Sequence, residues 1–115
     1  MQRRQRLTQS RRFGQIHREG ISAANRFLVI RALPNDLEWS RFGFVVSKRI
    51  GNAVTRNLVK RRLRESVRQI RVKGGWDAVF IARRGAASAE YRQLQRAADN
   101  LLRRTNLADT DPSTT

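Results

Sequence analysis

Apolar and polar residues group along the chain into six elements. Leu7, Phe13 and Ile16 anchor the first stretch, Thr8 or Ser10 can cap it and Gly20 can stop it, which predicts a helix over about 10–18. "NRFLVIRAL" is rich in Phe, Val and Ile and ends at Pro34, the pattern of a strand. Within it Phe27, Val29 and Arg31 share one face, and Leu28 and Ile30 the other. Pro34, Asn35 and Asp36 are turn formers, so "RFGFVVSK" is expected to return as a second strand, antiparallel to the first. Helical spacing then predicts a long helix over about 53–70, ended by Gly74 and Gly75. "WDAVFIAR" is almost continuously apolar, as a central strand would be. "GAASAEYRQLQRAADNLLRR" is expected to form a last helix, with Ser88 before its first turn, Glu90 near its start, and Tyr91, Leu94, Ala97, Ala98, Leu101 and Leu102 as its apolar stripe. From about Thr105 the chain turns polar and is expected to fray.

The expected fold class is therefore α/β of the α+β type: a two-layer sandwich, helix-strand-strand-helix-strand-helix around a small mixed sheet. One domain over 1–115 is expected, with a mobile basic arm (1–6) and a polar C-terminal tail (106–115). No internal repeat is visible.

Charge changes the picture more than any other global property. Lys plus Arg number 25 against 9 acids, a formal net charge of +16. A compact domain so charged repels itself, which points to a polyanionic partner. Nucleic acid is the first candidate and an anionic membrane surface the second; arginine far outnumbers lysine, and its planar fork suits phosphates and base faces, favouring nucleic acid over simple charge solubilisation. A membrane binder would also need a lipid-exposed apolar face, whereas here that face is required for the core. Cysteine is absent, which excludes disulfides and thiolate chemistry. No apolar run reaches the roughly 20 residues of a membrane span, and no signal-peptide core follows the N-terminal arginines, so a cytoplasmic location is expected.

The long helix shows where the charge is used. At about 100° per residue, Val59, Leu63, Val67 and Ile70 fall within roughly 80° of arc. Arg56, Asn57, Lys60, Arg61, Arg64 and Arg68 occupy another arc of roughly 140°. Arg62 and Glu65 lie off this cluster. A solvated face usually alternates signs, but here Arg56/Lys60, Lys60/Arg64 and Arg64/Arg68 are like-charged neighbours at i,i+4, which weakens the free helix by a few tenths of a kcal/mol per pair. Phosphate contacts supply a reason for such a stripe. Ahead of it, Gly51 permits close backbone approach and Asn52 is a good helix cap, a combination that also serves an ordinary strand-to-helix turn.

No catalytic constellation accompanies these features. His17 is the single histidine and is read as a surface or packing residue near a helix end. The acids Glu19, Asp36, Glu38, Glu65, Asp77, Glu90, Asp99, Asp109 and Asp111 form no close pair on one helix face or strand, against a two-metal carboxylate site. No NTPase-type phosphate loop is present. The protein alone is expected to be catalytically inert, with no small-molecule substrate.

"SKRIGNAVTRNLVKRRLRE" resembles the signature of the bacterial ribonuclease P protein component. Arg6-Leu7, Phe13, Gly20, "AANRF", "GFVVSKRIGNAV", "DAVFIARRGAA" and Tyr91 extend the similarity over about 6–107. The resemblance implies a left-handed βαβ crossover through the long helix, contrary to the usual right-handed rule. It implies a protein subunit that binds a catalytic RNA subunit and the 5′ leader of precursor tRNA, assisting removal of the leader. The RNA, with its bound magnesium ions, carries the chemistry, and the protein binds no cofactor of its own. Carried onto this chain, Lys48, Arg49 and Asn52 lead into an RNA-subunit-binding set of Arg56, Asn57, Lys60, Arg61, Arg64 and Arg68. A leader-binding cleft would use Phe13, Phe27, Val29 and Arg31, although core packing is the common role of phenylalanine and Arg31 stands where an aromatic or apolar residue is expected. Composition alone equally fits a ribosomal-type or RNA-chaperone protein with no processing role; a DNA-binding module and a stand-alone nuclease fit less well.

Overall fold

The computed structural model describes residues 6, 7 and 9–109. Most of the expected N-terminal arm, Thr8 and the end of the expected tail lie outside the described residues. The elements are α1 (Ser10–Glu19), β1 (Ile21–Ala24), β2 (Leu28–Pro34), β3 (Arg41–Val45), α2 (Ala53–Arg68), β4 (Trp76–Ala82) and α3 (Tyr91–Arg104). Short 3-10 turns at Lys48–Ile50 and Arg84–Ser88 precede α2 and α3.

Three helices form where periodicity places them, with small shifts at their ends. Ser10 is the first residue of α1 rather than its cap; Gln9 takes that position without a side-chain hydrogen bond. Gly20 ends α1, donating its N–H to Ile16 O. A Cβ there would sit 2.7 Å from Ala32 O, so only glycine lets α1 close so tightly onto β2. Residues 85–88, which open the stretch expected as the last helix, lie in the 3-10 turn instead, and α3 starts on a capping box between Glu90 and Gln93.

The sheet departs from expectation in two ways. It has four strands in the order β1-β2-β4-β3, including β1, whose short and mostly exposed Ile-Ser-Ala-Ala gives little strand signal. And β2 and β3 do not pair. β4 lies between them, antiparallel to β2 (Leu28↔Ala82 to Pro34↔Trp76) and parallel to β3 (Arg41↔Asp77 to Val45↔Ile81). β2 and β3 still run in opposite directions, as expected, but the most apolar strand takes the centre, where both its edges are hydrogen-bonded and both its faces covered. The parallel β3–β4 pair, joined through α2, is the pairing that a βαβ crossover requires.

Helices cover both faces. Leu28, Ile30, Ala78 and Phe80 pack with Val59, Leu63 and Val67 of α2 and Leu94, Leu101 and Leu102 of α3 in the main core. The sheet with α2 and α3 on it is the helix-on-sheet sandwich read from the sequence. On the opposite face α1 adds a smaller cluster, Leu7, Ile16 and Val79, flanked by Phe13, Leu33 and Ile81.

α1 is fastened by a buried ion cluster. Asp77 on β4 is fully buried and accepts from Arg12 Nε at 2.7 Å, Arg41 Nε at 2.8 Å, Arg41 Nη2 at 2.7 Å and Asn35 Nδ2 at 2.9 Å. Burial pushes the Asp77 carboxyl up, but the bonds from Arg41, Asn35 and Arg12 outweigh it and hold the group below the usual carboxylate range. The Asp77 hydrogen bond in turn raises Arg41.

The start of the expected tail is packed, not frayed. Asn106 takes a left-handed conformation (φ 63°), and the N–H groups of Asn106 and Leu107 donate to Arg103 O and Leu102 O. This Schellman pattern folds Leu107 back onto Leu102, both fully buried. Ala108 then bridges to Val72.

Candidate nucleic-acid interface

Local chemistry fixes the start of α2. Ile50 is buried and pins the 3-10 turn, leaving Lys48 and Arg49 exposed. The Asn52 side chain caps the helix by accepting from Thr55 N at 2.9 Å. Arg56 Nη1 donates to Gly51 O at 2.9 Å, fixing one guanidinium beside the helix start.

Because Val59, Leu63 and Val67 are held in the main core, the remaining positions of α2 are set. Asn57, Arg61 and Arg68 are exposed, and Arg56, Lys60 and Arg64 are half-buried. Arg68 pairs with Glu65 at 2.8 Å, in a contact open to water on both sides. Among the described residues, Lys48, Arg49, Arg56, Lys60, Arg61 and Arg64 have no carboxylate within ion-pair distance. Arg62, off the stripe, donates to Ala89 O at 3.0 Å and joins α2 to the start of α3.

Lys60 and Arg64 overhang a groove of about 230 Å³ beside β3, with Arg6, Phe13 and Gly43 among its walls. A second cleft, about 300 Å³, lies between α1 and the sheet. Its lining includes Phe13, His17, Arg31, Val45 and Ile81. Phe13 belongs to both, so one ring forms the divide between the α2 groove and the α1 cleft. Arg31 reaches across the cleft and donates to His17 O at 3.1 Å, at the carboxyl end of α1, while its buried Nε has no hydrogen-bond partner among the described residues.

The residues named for the cleft are thus divided. Phe13 and Arg31 meet there. Val29 is half-buried on the same sheet face, beside Ile81 in register, but outside the cleft lining. Phe27 does not join them. β2 begins at Leu28, so strand alternation does not extend to Phe27, which packs against the main core and lines a different pocket near α3. Sequence reasoning passed over His17 and Val45 as cleft residues; the alternation of Gly43 and Val45 on one face of β3 was the available signal.

Among the described residues, no group of three or more His, Cys, Asp or Glu is placed to hold a metal ion. The buried acid, Asp77, is committed to Arg12, Arg41 and Asn35. Among the described residues no helix is long and apolar enough to cross a membrane.

Comparison with known proteins agrees with this geometry. The family model "Ribonuclease P" matches residues 1–106. The ribonuclease P protein component of Dehalococcoides mccartyi strain CBDB1 is 42% identical over 99% of this chain and 96% of its own. That of Roseiflexus castenholzii is 41% identical over 90% and 88%. The Staphylococcus aureus RNase P protein superimposes with a TM-score of 0.83 at 31% identity, covering 91% of this chain and 98% of that one. The Thermotoga maritima RNase P protein gives 0.80 at 32% identity, covering 86% and 96%. A stripe of unneutralised cations on a sheet-braced helix, the adjoining cleft and these similarities lead to one assignment: the chain belongs to the ribonuclease P protein family, the accessory protein subunit of the ribonuclease that matures tRNA 5′ ends.

Proposed function

We propose that α2 docks on the ribonuclease P RNA subunit while the α1 cleft receives the 5′ leader of precursor tRNA. The observation that carries this reading is the set Arg56, Lys60, Arg61 and Arg64, which lacks carboxylate partners among the described residues and shares, through Phe13, a wall with the cleft. Each arginine or lysine set against a phosphate releases condensed counterions, so association weakens steeply with salt. In the cleft, the Phe13 ring and the Arg31 guanidinium offer flat faces to unpaired bases, which tolerate any sequence. The protein contributes binding and position. Magnesium chemistry belongs to the RNA in this reading, and the work is placed in the cytoplasm.

The test is precursor-tRNA cleavage by the RNA subunit at low magnesium, with and without this chain. Stimulated cleavage is expected. A chain that binds the RNA but leaves cleavage unchanged would instead be a general RNA binder.

A further inference from the structure

A second basic surface lies across the end of the sheet from α2. The β1–β2 turn, the carboxyl end of β4 and the following 3-10 turn meet there: Arg83 N donates to Phe27 O at 2.8 Å, and Arg83 Nη1 to Asn25 O at 2.9 Å. Asn25 Nδ2 ties the turn to α3 through Ala97 O at 2.9 Å and Asn100 Oδ1 at 3.1 Å. The Arg26 guanidinium carbon sits 5.2 Å from the centre of the Phe27 ring. Beside them opens a pocket of about 450 Å³, reached also by Arg96 and Asn100, within the size range of ligand sites. Arg26, Arg84 and Arg96 are exposed and have no carboxylate partner among the described residues. The neighbouring acids are occupied: Glu90 in its capping box and Asp99 with Arg103 at 2.9 Å. The two 3-10 turns pack on each other, so this surface continues from Lys48 and Arg49 of the α2 side.

We propose that this pocket is a separate docking site for single-stranded RNA, distinct from the α2 stripe and the α1 cleft. A guanidinium laid on an aromatic ring presents a flat cationic face to a base. Asn100 retains amide N–H groups for base edges while its oxygen is held by Asn25. Arg84 and Arg96 supply charge for the flanking phosphates. An anionic membrane surface would use the same charge but has no use for a ring and amides inside a pocket.

The experiment measures binding of a short labelled oligouridylate to the full chain over a range of salt, for four proteins. These are wild type, Arg56→Ala/Lys60→Ala/Arg64→Ala, Arg26→Gln/Arg84→Gln/Arg96→Gln, and the six combined. The α2 variant retains binding, and the combined variant loses at least a further tenfold. The pocket variant alone lowers the logarithmic salt slope by about 1.4, from about 0.7 for each of the two phosphate contacts of Arg84 and Arg96. Should the triple pocket variant unfold, Arg96→Gln alone lowers the slope by about 0.7. Wild-type affinity and slope in a folded pocket variant overturn the proposal, as does loss confined to binding of phosphatidylserine vesicles. Assembly with the ribonuclease P RNA is measured in parallel. A failure of the α2 reading shows as unchanged assembly in the α2 variant, a result separate from the pocket's.

Discussion

The Phe13 ring lies directly on Gly43: a Cβ built at Gly43 would come within 2.5 Å of the ring Cζ and 2.8 Å of Cε1. The ring therefore occupies space that any other β3 residue would fill, and it does so where the α2 groove and the α1 cleft adjoin. Gly43→Ala should push the ring out at a cost of about 1–3 kcal/mol, the usual range for overpacking. Affinity for precursor tRNA with a leader should fall toward that for mature tRNA, while affinity for the RNA subunit stays. Chemical unfolding and the two binding measurements check this.

Loss of the α2 cations should act on RNA rather than on folding. Arg56→Ala/Lys60→Ala/Arg64→Ala removes three like charges and also relieves three i,i+4 repulsions, the Arg64/Arg68 pair included. The melting temperature should change little, while the salt slope for RNA-subunit binding falls by roughly 2–3. Unchanged RNA affinity at matched salt would refute the docking role.

Asp77→Asn should be among the most damaging substitutions. It leaves Arg12 and Arg41 facing a neutral amide in a buried site, and breaking such a pair costs about 3–5 kcal/mol. Both arginine side chains are partly open to water (15% and 25%), so about 2–4 kcal/mol is expected. Because the folded Asp77 carboxyl is held below its ordinary value, its contribution is present above the unfolded pKa of about 3.9 and is lost as pH falls through the lower folded value. The stability gap between wild type and variant should hold from neutral pH to about 5 and close below about 4. Urea unfolding across pH 3–7 measures it.

The end of α3 separates tolerated from damaging substitutions at neighbouring positions. Leu107→Ala removes a fully buried side chain and should cost about 2–5 kcal/mol. Asn106→Gly keeps the left-handed turn and should be close to neutral, whereas the β-branched Asn106→Val should destabilise. Thermal melts of the three variants separate a packed end from a frayed one.

Much of the architecture was legible because local pattern and burial agree. Val59, Leu63 and Val67 are buried as their spacing requires, and the apolar run of β4 does mark the centre of the sheet. What was missed has physical causes. β1 is short, exposed and built partly of alanine, so it carries no alternation. The insertion of β4 between β2 and β3 is a non-local choice that leaves no trace in either strand's pattern. Leu107 is a lone apolar residue in a polar stretch, although Asn106 just past "LLRR" was a readable helix stop. Phe27 was placed on the face of Val29 and Arg31 by extending strand alternation one residue too far, and its cleft role was carried over from the family resemblance. Asp77, a single acid inside an apolar strand, signalled a need for partners, but not that they would come from residues 12, 35 and 41.

The position of β4 has a consequence for synthesis. With its centre supplied by Trp76–Ala82, the sheet cannot close until about two-thirds of the polypeptide has been made. Until then β1 and β2 can form only a hairpin, β3 lacks a partner strand, and the arginine-rich α2 has no complete sheet to lean on. A polypeptide ended before residue 76 should therefore cling to nearby nucleic acid as a loose polycation, because the defined shape comes only once the last strand threads between the two waiting ones.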